Sequence, residues 1–147
     1  MKTLFLWIIL FAFLQSSVIS LNLVLVVLIA RSLAIDDGAN LLLAFFGGLI
    51  LSFLTQTNLG YWPLLLLFIV KIGILTRKLP ISFNPFLIFL SGGVLVFLSA
   101  AVNKLFLHQD FQFFQLVFEA VLVVPAFFLI RIWEERFVEK SQIRLKV

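Results

Sequence analysis

The sequence predicts an all-α, polytopic transmembrane helix bundle of about six spans. Three observations predict it. First, 63% of the 147 residues are apolar and only 12% are charged, against roughly 45–50% and about 25% in soluble domains. A chain this short has too much surface for its volume to hide so many Leu, Ile, Val and Phe from water. Second, the apolar residues fall in runs separated by short polar or turn-forming stretches. Third, Lys and Arg gather at alternate ends of those runs.

A spanning helix needs roughly 20 apolar residues, with a range of about 17–25. Residues 85–107 and 113–132 meet that length. Residues 39–54 and 61–76 are shorter and well bounded: Asp36-Asp37-Gly38 precedes the first, Thr55 to Gly60 separates the pair, and Arg77-Lys78-Leu79-Pro80 with Asn84-Pro85 follows the second. Gly, Asn and Pro at these places punctuate helices. Residues 3–30 are almost wholly apolar but carry Gln15, Ser16, Ser17, Ser20 and Asn22 near the middle. That polar cluster argues for two helices, over 3–18 and 21–35, instead of one overlong helix. The competing reading is a signal peptide, with Lys2, an apolar run and Val18-x-Ser20 as a weak cleavage site. Residues 133–147 read as a short basic tail on a single integral membrane domain.

Six spans with an inside N-terminus place Lys2, Arg31, Arg77, Lys78, Arg131, Arg136, Lys140, Arg144 and Lys146 on the cytoplasmic side. Lys104 alone falls outside. The positive-inside rule demands this asymmetry and puts the C-terminus in the cytoplasm. The net charge of +4 is therefore read as a topology and lipid-surface signal, not as a nucleic-acid footprint. Tyr61 and Trp62 read as an outer aromatic belt.

With no Cys, disulfides, thiolate metal sites and a cysteine nucleophile are excluded. His108, alone in an outer loop with Lys104, Gln109 and Asp110, is a poor metal site. No sequence motif for catalysis is present, so neither catalytic residues nor cofactor or metal ligands are expected. Pro125 is expected to kink the last helix.

Two features single themselves out. Asn40, Ala44, Gly48, Ser52 and Gln56 recur every four residues and form a drifting stripe of small and polar groups. Such a stripe lets backbones approach closely. It serves either a partner or packing within the same bundle, with Ser91, Gly92, Gly93 and Ser99 able to supply the facing wall. Lys71 and Glu119 are the ionisable residues deepest within the apolar runs, where charge is expensive and often functional. Lys71 reads as a snorkelling side chain; the role of Glu119 stays open.

The segment Ala44-Phe45-Phe46-Gly47-Gly48-Leu49-Ile50-Leu51-Ser52, followed by Leu59-Gly60, resembles the central segment of the MreD family of bacterial rod shape-determining membrane proteins. That family shows Gly-x-x-x-Gly-Leu-x-x-Asp and then a Leu-Gly opening the next helix. Gly48, Leu49, Leu59 and Gly60 match; Ala44 stands for the first Gly and Ser52 for the Asp. Leu14-Gln15-Ser16 and the basic tail are also similar, while a Pro-Asp pair common in the family is replaced by Leu21-Asn22. The resemblance implies a non-enzymatic component of the cell-elongation machinery in the bacterial cytoplasmic membrane. Its implied partners are an MreC-like bitopic protein, MreB, a SEDS glycosyltransferase and a class B transpeptidase. It also implies a fold resembling the substrate-binding subunit of energy-coupling-factor transporters. A vitamin-binding transporter subunit is the alternative function, although the Ala-x-x-x-Ala docking face expected in the first helix is missing, since residues 3–20 hold only Ala12.

Overall fold

The computed structural model describes residues 2–17, 21–35, 37–77, 84–108, 110 and 112–137. These form six helices: α1 (Lys2–Ser17), α2 (Leu23–Ala34), α3 (Ala39–Leu54), α4 (Tyr61–Thr76), α5 (Pro85–Leu107) and α6 (Phe113–Phe137). Ser20, Lys78, Gln109, Lys140, Arg144 and Lys146 lie outside the described residues, as does the cleavage site proposed for a signal peptide.

Local chemistry sets the helix ends. Asn84 caps α5, its side chain accepting from the Phe86 N–H at 3.1 Å, with Pro85 at the first helical position. Proline is pre-organised there and lacks an N–H that would otherwise go unpaired. His108 ends α5 in the left-handed region, φ 54°, the usual way to stop a helix. Pro63 sits in the first turn of α4, where no intrahelical donor is lost. Between α3 and α4, Thr55 Oγ1 donates to the Leu51 carbonyl at 2.6 Å, and the Trp62 indole donates to Thr55 Oγ1 at 3.1 Å. Trp62 is thereby buried and serves the turn, so it is not part of an exposed belt.

The expectation of six membrane spans is corrected by the helix lengths. Two helices, α5 and residues 113–136 of α6, are long and apolar enough to cross a bilayer; the apolar parts of the other four run 10–17 residues. At 1.5 Å per residue, the 12 residues of α2 cover about 18 Å and the 16 of α3 or α4 about 24 Å, against a hydrocarbon core of roughly 30 Å. The shortening has visible causes. Gln15 and Asn22 bond to each other across the α1–α2 break, and Asn40 and Asp37 bond the backbone at the α2–α3 break.

The two long helices are mostly outward-facing: only 28% and 22% of their apolar windows are buried. Phe86, Val94, Phe97, Phe114, Val121 and Leu129 all stand exposed. A core helix of a soluble domain buries its apolar residues instead, so this pair is consistent with membrane association.

At the centre is α2, which touches every other helix. Nine of its twelve residues are buried, on all sides of the helix. A helix apolar all round belongs in an interior. Direction follows from cross-helix contacts. Asn22 meets Glu119 and Arg31 meets Glu134, so α2 and α6 run the same way. Gly48 faces Pro63, and Tyr61 bonds Asn103, so α3 and α5 both oppose α4. Successive helices alternate, leaving the α1–α2, α3–α4 and α5–α6 connections at one end. Pro125 does not terminate α6, which continues to Phe137.

Candidate functional site

Two polar nodes flank the apolar core, one at each end of α2. The first gathers Gln15, Asn22, Gln115 and Glu119. Glu119 lies nearly two turns into α6, yet its side chain is fully buried at 0% exposure. The reason is the start of α2. The first N–H groups of a helix have no intrahelical partner and carry the positive end of its dipole. Glu119 Oε1 accepts from the Asn22 backbone N–H at 2.8 Å and from Asn22 Nδ2 at 3.3 Å. Gln115, one turn back on α6, donates to the same oxygen at 3.0 Å. A carboxyl group 97 positions away thus does the work of a capping residue that α2 lacks locally, for Asn22 itself makes no side-chain cap bond. Gln15 completes the node from α1: its amide donates to Asn22 Oδ1 at 2.9 Å and accepts from the Val24 N–H at 3.3 Å. Glu119 Oε2 is buried with no hydrogen-bond partner among the described residues.

The second node is built on Arg31, 3% exposed near the end of α2. Its guanidinium donates to Asn40 Oδ1 and to Glu134 at 3.3 Å, and lies 3.6 Å from Asp37. Asn40 relays the contact by donating to the Ile35 carbonyl at 2.7 Å. A cation at a helix C-terminus opposes the negative dipole end. Burial of its charge is balanced by two carboxylates and an amide, as a buried ion requires. Beside this node a cleft of about 370 Å³ opens between α2, α4 and α6, lined by Leu33, Ile35, Arg77, Phe127, Arg131 and Glu135 among others. Arg131 and Glu135 pair across one turn of α6 at 2.7 Å.

The stripe on α3 divides. Asn40, Ala44, Gly48 and Ser52 are buried, whereas Gln56 lies past the helix end with φ 52° and is exposed. Gly48 is in backbone contact with α4: a Cβ there would stand 2.5 Å from Pro63 Cα and N. The stripe's small residues serve packing within the bundle, and a partner helix seated on them would displace α4. The facing wall is α4, not the α5 residues Ser91, Gly92, Gly93 and Ser99; Gly92 packs on Val123 of α6 instead. Lys71 is exposed on α4 and lies apart from both nodes. Lys71 and Glu119 are therefore not partners. His108 and Lys104 are exposed at the α5–α6 end.

Sequence reasoning missed Arg31 as a buried node, reading it only as a topology charge. It also missed Asn22 and Gln15, read only as interruptions of an apolar run. The available signal was a polar residue, Asn22 or Arg31, at each end of the eight-residue apolar stretch 23–30, with acids and amides nearby. Tyr61 and Asn103 form a third link, a 2.5 Å bond between α4 and α5.

No family model, curated protein or solved structure matches the chain.

Proposed function

We propose that this protein is a non-enzymatic membrane platform of the bacterial cell-elongation machinery, supporting cell shape by binding an MreC-like bitopic protein, MreB and the wall synthases. The observation that carries the reading is the segment Gly48-Leu49 with Leu59-Gly60. Its MreD-like residues coincide with a structural unit, the tight α3–α4 hairpin, where Gly48 admits the Pro63 backbone and Leu59-Gly60 leads into α4. Motif residues that build a rigid hairpin suit a scaffold, whose task is to hold a surface in place.

The proposed setting is the cytoplasmic membrane, with α5 and α6 crossing it as an antiparallel pair. Charge supports the orientation: Arg31, Arg77, Arg131 and Arg136 lie toward one end of the bundle and Lys104 toward the other, which by the positive-inside rule puts the C-terminal end of α6 in the cytoplasm. Partners with single spans would then meet the exposed apolar exterior, because the α3 stripe is occupied by α4.

Depleting the protein from its native cell tests the reading. Loss of rod shape, with widened or rounded cells and dispersed sidewall synthesis, is the expected result. Cells that keep their width and elongate normally under full depletion would overturn it.

A further inference from the structure

We propose that Glu119 is held as a neutral carboxylic acid in the folded bundle and that its proton is a latch: bound, it keeps α6 fastened to the start of α2; lost, it loosens that end of the bundle. The inference goes beyond the scaffold reading and stands independently of it. Glu119 is fully buried, and none of the ion pairs among the described residues involves it. Its node is made of uncharged amides: Gln115 on its own helix, Asn22 at the start of α2 and Gln15 near the end of α1. From α5, Gly92 and Gly93 approach Val123 and Ala120 on this stretch of α6. The titratable groups at the same end, Lys104, His108 and Asp110, are exposed to solvent. A carboxylate here would have no counter-ion, since the positive dipole end of α2 supplies only about half a charge. An isolated buried carboxylate is so costly that the group takes up a proton instead.

The hydrogen bonds agree with a neutral group. A carboxylate has two equivalent acceptor oxygens, whereas the neutral acid has one carbonyl oxygen and one hydroxyl. Here the oxygens are used unequally: three donors, Asn22 N, Asn22 Nδ2 and Gln115 Nε2, converge on Oε1, and none reaches Oε2. Oε1 is the carbonyl of the acid and Oε2 carries the proton. A neutral hydroxyl without a partner costs far less than an ion without one. The same carbonyl receives the Asn22 backbone N–H, so the neutral form keeps α2 joined to α6. Ionisation would set a full charge among amides and apolar side chains, and only water could then satisfy Oε2. The contact that must open to admit it is the one between the start of α2 and Glu119.

Infrared spectroscopy of the purified full chain in detergent tests the protonation state directly. At about pH 7, well above the ordinary glutamate value of roughly 4.3, the wild type should show the carbonyl stretch of a protonated carboxyl group. Isotope labelling of the glutamate carboxyls should shift that band, and Glu119→Gln should abolish it. Should Glu119→Gln fail to fold, the labelled wild type decides, because Glu134 and Glu135 lie against Arg31 and Arg131 and stay charged. No protonated glutamate band, or a band that persists in Glu119→Gln, overturns the proposal. Equilibrium unfolding reads the latch itself. The folded chain keeps a proton that the unfolded chain releases, so its stability falls as pH rises. Between about pH 5 and 7 the folded-to-unfolded ratio of the wild type should fall, relative to Glu119→Gln, by up to about tenfold per pH unit. The same pH slope in both proteins overturns the latch.

Discussion

Placing a methyl group at Gly48 should separate α3 from α4. The new Cβ would lie 2.5 Å from both Pro63 Cα and Pro63 N, and 2.8 Å from the Trp62 carbonyl carbon. All three are backbone atoms inside a helix, so no rotamer change relieves the contact, and the two helices must move apart. Overpacking a tight site costs about 1–3 kcal/mol, with the upper end expected where backbone is the obstacle. Replacing Gly by Ala in a helix returns about 1 kcal/mol of propensity. Gly48→Ala should therefore destabilise by about 2 kcal/mol net. Gly93→Ala supplies the internal control: its Cβ meets only Ala120 Cβ at 3.7 Å, an ordinary contact. It should be neutral or stabilising by up to about 1 kcal/mol, the propensity gain alone. Gly92→Ala should also destabilise, since its Cβ would meet Val123 Cγ1 at 2.6 Å and Cβ at 3.1 Å, and a β-branched side chain in a helix has little freedom to turn away. Thermal unfolding in detergent, followed by the monomer peak on size exclusion, reads the order. If Gly48→Ala is as stable as Gly93→Ala, the close α3–α4 approach described above is wrong.

Three other substitutions probe the polar nodes. Glu119→Ala leaves the Asn22 N–H and two amides without their acceptor and should destabilise by about 1–3 kcal/mol, measured by the same unfolding assay. Arg31→Met should destabilise by about 3–5 kcal/mol at most, reduced because Glu134 and Asp37 both retain some access to solvent; the double variant Arg31→Met with Glu134→Gln should recover part of the loss, since the orphaned charge is then gone. Tyr61→Phe deletes the bond to Asn103 and should lower stability by about 0.5–1.5 kcal/mol, with no further loss when Asn103→Ala is added if the pair acts only through that bond.

Much of the secondary structure was legible because its boundaries are set by single residues. Asn84 and Pro85 fix the start of α5 by local backbone chemistry that needs no tertiary context, and Gly38 and Gly60 immediately precede α3 and α4. The polar cluster from Gln15 to Asn22 correctly marked a break between helices. What it could not show was what those polar residues bond to. Asn22 finds its partner on α6 and Gln15 finds it across the break, and such pairings depend on how helices stack.

The span count failed for a related reason. Hydropathy reports that a segment avoids water, but it does not separate a helix facing lipid from one enclosed by other helices. The apolar residues of α2 face five neighbouring helices, whereas those of α5 and α6 mostly face outward. Arg31 is the residue that exposes the difference. In a spanning helix it would mark an interface with water; enclosed as it is, it must find Asn40, Asp37 and Glu134. The stripe at Asn40, Ala44, Gly48 and Ser52 was legible as a close-packing face. Only the opposing helix was hidden, because α4 shows no complementary small-residue pattern: its contribution is the Pro63 backbone.

The most direct test of the functional account is affinity purification of the tagged protein from its native membrane in mild detergent, with mass spectrometry of the proteins that accompany it. An MreC-like protein recovered together with a SEDS glycosyltransferase and a class B transpeptidase is the predicted result. Recovery of an ATPase pair with a transmembrane coupling subunit, and no wall-synthesis proteins, would contradict it.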